Sequence, residues 1–256
     1  MITIESLGVI GGVLLLGASS YLLWSGVNRY QQGSAIAEAV PFDGESTIRD
    51  LVFVDGIVDG PLDGAQLESG MSATPCVAYA ERRITKKAHG NQDIRRASSG
   101  QYRKRVKEHT DAIPFRLDTP NGNVRVDGSD AQIEVSDDEY TPVSMGDVRE
   151  NRGSLIGLWW LIRSVLTEAD REYQREYEEA CYSTGDSLLA IGSVDGTDTS
   201  DEWSLRPGSD APLVITSETH TDVAETFRSV GKGRLLKGVL VLLVGVVILA
   251  AVTGVI

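Results

Sequence analysis

Ten of the 24 lysines and arginines fall in one stretch: Arg82, Arg83, Lys86, Lys87, Arg95, Arg96, Arg103, Lys104, Arg105 and Lys107. One acid, Asp93, interrupts them, so the stretch carries +9 of a chain total of −13 and leaves −22 for the rest. Cations at this density can bind anionic headgroups, at about 1 kcal/mol for each one near a membrane surface. They can dock an acidic protein. They can also pair with the acidic body of the chain itself, as a solvated hairpin. No nucleic-acid partner is expected, because base stacking needs aromatic rings and only Tyr102 lies among these cations.

Other chemistry has less to work with. There is no GxSxG, P-loop or HExxH motif, and no catalytic residue, metal ligand or cofactor is expected. Asp55, Asp59 and Asp63 are spaced by four, whereas calcium loops alternate their acids at every second residue. The dipeptides Asp59-Gly60 and Asp63-Gly64 read as turns. His89, His109 and His220 are expected on exposed loops. Cys76 and Cys181 read as buried free thiols, although spacing alone leaves a disulfide open.

Two apolar runs frame these residues, at 7–24 and 238–256. A helix of 18 or 19 residues reaches roughly 27–29 Å, close to the hydrocarbon thickness of a bilayer. Transmembrane helices are therefore expected at 7–27 and 235–256, with a soluble domain at 45–225. Tyr21 and Trp24 have the amphipathic rings of interfacial anchors. Glu5 argues against a cleaved signal peptide, whose first region is normally basic. Arg29, Arg228, Lys232, Arg234 and Lys237 all flank the spans on the domain side. The positive-inside rule then predicts a cytoplasmic domain with both chain ends outside. Gly8 and Gly12 form one GxxxG, a hint of association between copies.

The middle domain alternates Val- and Ile-rich runs with turn residues. Strands are expected at 51–58, 76–84, 113–117, 124–126, 131–135, 187–194 and 213–217, with a hairpin turn at Asn121-Gly122. The runs at 51–58 and 187–194 share an apolar-x-Gly-x-Val element. A helix is expected at 168–180, where Tyr173 and Tyr177 are four apart and Thr167 precedes an acidic first turn. Upstream, 155–166 is apolar but short. It reads as a core helix or strand, or as an amphipathic segment with Trp159 and Trp160 at headgroup level. The fold class is α+β: a β-rich domain of two small barrel- or sandwich-like units with an intervening helix, held between two transmembrane helices. Abundant Asp and Glu with little Lys give the surface a composition suited to high salt.

The order of these pieces resembles the GIDE, or beside-a-membrane, domain of membrane-anchored RING-type E3 ubiquitin ligases and their prokaryotic relatives. The resemblance rests on FVDGIV at 53–58, the CVAYAERR run from Cys76, PFRLDTPNGNVRVDGSDA at 114–131, TGDSLLAIGSV at 184–194 and APLVITSE at 211–218. It implies protein ubiquitination, with a ubiquitin-like modifier or transferase as partner. A RING needs eight Cys or His ligands, and this sequence holds two cysteines and three histidines. The resemblance therefore implies only the companion domain. Three readings follow: a non-catalytic module that binds membrane lipids or other membrane proteins, a ligase-like protein whose RING or transferase is supplied in trans, and a structural membrane organiser that associates with itself.

Overall fold

A computed structural model describes residues 4–44, 51–64, 67–88, 102–143, 173–196, 203–209 and 211–252. Two helices, α1 (Ile4–Ala37) and α2 (His220–Val252), are apolar and long enough to cross a membrane. At 34 and 33 residues each is about 50 Å long, well beyond a hydrocarbon layer of about 30 Å. They pack antiparallel along a seam of small residues. Gly12, Ser19, Gly26 and Gly33 recur every seven residues on α1, as do Gly231, Gly238 and Gly245 on α2. A Cβ on Gly231 would lie 2.8 Å from the Tyr30 amide nitrogen, and one on Gly33 would lie 2.9 Å from the Ala224 carbonyl oxygen. Small side chains are what let two backbones approach this closely in lipid. The Gly8–Gly12 pair, expected to serve association between copies, faces Val252 and Leu249 of the same chain instead. Gly11 and Gly17 have nothing within 4 Å.

After α1 come β1 (Val40–Pro41), β2 (Leu51–Pro61), β3 (Leu67–Glu68), β4 (Pro75–Cys76), β5 (Ala78–Ala88), β6 (Tyr102–Ala112), β7 (Phe115–Thr119) and β8 (Gly122–Val126). There follow β9 (Gln132–Ile133), β10 (Thr141–Pro142), β11 (Tyr173–Tyr182), β12 (Ser187–Gly196), β13 (Trp203–Arg206) and β14 (Val214–Thr216). Strands β2, β7, β8, β13 and β12 close into a five-stranded barrel, because β12 pairs with β2 as well as with β13. Its interior takes alternate residues, among them Val52, Val54, Leu117, Val124, Leu188, Ala190 and Leu205, all essentially buried. The repeated apolar-x-Gly-x-Val runs are the two strands that make this closure: Gly56 sits opposite Leu188, and Gly192 opposite Val52. Each glycine meets a crossing strand, since added Cβ atoms would come within 2.8 Å of the Asp118 oxygen and 2.7 Å of the Arg206 oxygen.

A second sheet, in the order β10-β11-β5-β6, lies on the same core through Ala78, Ala80, Ala112 and Tyr182. Here the helix expected at 168–180 is corrected. Its residues from Tyr173 onward form β11, paired to β5 over its full length and to β10 at Glu178 and Glu179. Residues 168–172 lie outside those described, as do Trp159, Trp160, Arg95, Arg96 and His89. Asp59-Gly60 is a bulge within β2 rather than a turn, with a register shift between Val58 and Gly60.

The helices do not stop at the membrane boundary expected from hydropathy. Their domain-side ends pack on the barrel wall in a second apolar cluster of Ile36, Ala39, Leu189, Ile191, Val214, Val223 and Phe227. Arg29 ties the joint. Its Nη1 donates to Gln132 at 2.6 Å, its Nη2 to Glu134 at 2.8 Å, and its guanidinium lies 3.4 Å above the Phe227 ring.

Candidate functional site

The basic stretch forms the two long strands of a hairpin, β5 and β6. Antiparallel register sets Arg83 opposite Lys107, Lys86 opposite Lys104, and Lys87 opposite Arg103. Like charges at directly opposed positions destabilise a sheet. Three such cation pairs on one ladder, two of them adjacent, are therefore a cost to the pairing of β5 with β6.

The ten cations divide by environment. Arg82 points to the protein: it bonds Glu178 and Asp137, covers the Tyr140 ring at 3.8 Å, and is only 12% exposed. Burial opposes its charge, but the bonds to Asp137 and Glu178 outweigh that and hold it protonated above its ordinary value. Burial also pushes the neighbouring Tyr140 hydroxyl up to about 12, with the Glu108 charge adding to it and Arg82 opposing it. Arg83 is half-buried, and Lys107 is exposed together with Val106, Glu108, His109 and Thr110. Lys86, Lys87, Arg103, Lys104 and Arg105 are placed by backbone register alone. Among the described strands β6 is the free edge of its sheet.

The middle of α1 lies beside this edge. Tyr21 and Trp24, 66% and 68% exposed, line a cleft of about 600 Å³ with Arg29, Arg234, and Glu108 and Thr110 of β6. Glu134 forms part of the same wall, and burial raises its carboxyl pKa against the pull of Arg29. The strand that carries the cations thus flanks the helix at Tyr21 and Trp24.

A second constellation joins residues far apart in the chain. On β11, Glu179 and Cys181 are two apart and share a face; Glu179 is 2% exposed. The Glu179 carboxylate accepts from the Ser72 amide at 3.0 Å, the Ser72 hydroxyl at 2.9 Å and the Cys181 thiol at 2.6 Å. The Cys76 thiol, on β4, neighbours Cys181, and each influences the other's ionisation. Both cysteines are free, with Cys76 buried and Cys181 half-buried. Sequence reasoning missed this cluster because 105 positions separate the thiols and a helical reading of 173–180 turns Glu179 away from Cys181. His109 does lie exposed, edge-on to Tyr79. His220, expected on a loop, opens α2 and stacks on Phe53 at 4.3 Å.

A barrel with a basic hairpin beside it, carried on two apolar helices, is the arrangement to set against known families. The GIDE family model, described as E3 ubiquitin ligase, matches residues 85–250. The chain belongs to the GIDE family. The match runs from within β5 through β14 and most of α2, and so takes in every barrel strand except β2. No curated protein and no solved structure matches the chain. Among the described residues of this GIDE protein no group of three or more His, Cys, Asp or Glu could hold a metal ion.

Proposed function

We propose that this GIDE protein is a non-catalytic docking module, its β domain on the cytoplasmic side, that engages an anionic membrane surface through the outer half of the β5–β6 hairpin. One observation carries the reading: the ladder opposes Lys86 to Lys104 and Lys87 to Arg103 at its outer end, a repulsion that anionic headgroups would relieve. The cleft shared by β6 and the Tyr21–Trp24 turn of α1 brings the same strand alongside these two aromatics, whose amphipathic rings suit a membrane interface. Residues at the membrane interface experience the surface potential of anionic lipid within about 10 Å at 0.1 M salt.

The test uses the full chain in bilayers of neutral or partly anionic lipid, with an environment-sensitive probe at Val106, which is 40% exposed. Anionic lipid should draw the probe into the headgroup layer. Charge reversal of Arg103, Lys104 and Arg105, or molar salt, should return it to water. A probe that stays in water in every bilayer would overturn the proposal.

The family description favours a second reading, in which the domain recruits a ubiquitin-like modifier or a transferase supplied by another chain. In-membrane crosslinking followed by mass spectrometry separates the two. Capture of such a protein supports recruitment, and self-links with lipid adducts alone support docking.

A further inference from the structure

From the thiol cluster we infer that Cys76 and Cys181 form a reversible dithiol–disulfide pair, oxidised by small hydroperoxides, that clips the β3–β4 arm to β11. These are the only two cysteines in 256 residues, and the fold makes them neighbours from 105 positions apart. Neighbouring bonds fix the approach. The Val77 amide donates to the Tyr182 carbonyl at 2.8 Å, and the Ser183 hydroxyl donates to the Pro75 carbonyl at 2.9 Å. The chain on either side of Cys76 is thereby held against the chain that follows Cys181. Neither cysteine belongs to the apolar clusters of the domain. Their surroundings are polar instead: Glu179, Ser69 and Ser72, with the charges of Glu179 and Asp111 acting on Cys76.

The two thiols are unequal, as a directional reaction requires. The hydrogen bond from Cys181 lowers the Cys76 pKa against the burial that opposes it. Its contact with Cys76, then burial, then Glu179 hold Cys181 protonated. The thiolate is the nucleophile in thiol oxidation. Cys76 thiolate attacks the terminal oxygen of the hydroperoxide, the O–O bond breaks, and the alcohol or water leaves with one proton. The product is a Cys76 sulfenic acid. The Cys181 sulfur then attacks the Cys76 sulfur, and its proton passes to Glu179 Oε1 at 2.6 Å. The sulfenic hydroxyl departs as water with that proton, leaving the disulfide. In sum two thiols and one hydroperoxide give one disulfide, one alcohol or water, and one further water. Cys76 is 7% exposed, which admits hydrogen peroxide and hinders bulky disulfides.

The experiment treats the full-length protein in bilayers with hydrogen peroxide, then denatures it and alkylates any free thiol before peptide mass spectrometry. Untreated protein should carry two alkyl groups. Treated protein should carry none, should weigh less than the reduced chain by two hydrogens, and should yield one peptide pair joined between Cys76 and Cys181. Dithiothreitol should restore both alkylation sites. Cys181→Ser should stop at the sulfenic acid, trapped on Cys76 by a cyclic diketone. Hydrogen exchange of residues 67–76 should slow in the oxidised protein, since the clip restrains the arm. Full alkylation after peroxide, a disulfide between copies, or failure of Cys181→Ser to accumulate sulfenic acid would overturn the inference.

Discussion

Glu81 and Glu179 stand directly opposite each other on β5 and β11, yet their environments push them apart. At Glu179 burial raises the carboxyl pKa, but bonds from Cys181, Ser69 and Ser72 outweigh it and leave the group below its ordinary 4.5. At Glu81 burial dominates, the facing Glu179 charge adds to it, and His109 offsets only part, so the group lies above 4.5. The signs follow by linkage. Glu179 contributes stability that is complete above pH 4.5 and lost as pH falls through its lower folded value. Glu81 contributes stability only when protonated, and loses it as pH rises from 4.5 through its raised folded value. Glu81→Gln should therefore raise the melting temperature at pH 7 and make no difference at pH 4, as followed by intrinsic fluorescence. Glu179→Ala should do the reverse. Losing the hydrogen bonds that Ser72 and Cys181 give to the carboxylate costs about 1.5–3 kcal/mol, so the melting temperature should drop at pH 7 and the acid limb should flatten. A Glu179→Ala protein as stable as the wild type would contradict the hydrogen-bond account.

At the scale of elements, the seam between α1 and α2 makes the sharpest demand. Gly231→Val puts a branched side chain where a Cβ would meet the Tyr30 amide at 2.8 Å. Overpacking of this kind costs about 1–3 kcal/mol, read as earlier thermal unfolding in detergent. Gly17→Ala, with nothing within 4 Å, should be neutral and serves as the control. The seven-residue glycine spacing was visible in the sequence, but which glycines face the partner helix was not. Hydropathy located both helices and missed their domain-side extensions, because Arg29 and Lys232 interrupt the apolar signal there while Ile36 and Phe227 still pack. Strands bounded by Gly, Asn and Asp were legible, as was the hairpin at Asn121-Gly122. The error at 173–180 has a tertiary cause. Glu-rich sequence with tyrosines four apart has helical propensity, but β5 offers Arg82 opposite Glu178 and a full ladder of backbone partners. That pairing overrides propensity. The cations of the hairpin were legible as a cluster, whereas their opposition in pairs required the register.

For the whole molecule, charge is divided between a body of −22 and a strip of +9. Attraction between the two parts competes with any outside anion, and both are screened within about 3 Å at 1 M salt. Binding to anionic bilayers should therefore fall monotonically as salt rises from 0.05 to 0.5 M (roughly 14 to 4 Å of screening length). Binding that strengthens with salt would mean that apolar contact, rather than the cations, holds the hairpin down.

Each helix runs from an apolar stretch long enough to span a bilayer to the barrel wall without a break, and Arg29, Ile36 and Phe227 lock the joint. Such a pair acts as a caliper. When lipid chains lengthen, a rigid hydrophobic rod answers by changing its tilt, at a cost of fractions of a kcal/mol per ångström of mismatch. With no hinge between rod and barrel, the whole β domain must lean with it. In a bilayer spanned by this pair, thickness would thereby set the height of the β6 edge above the headgroups.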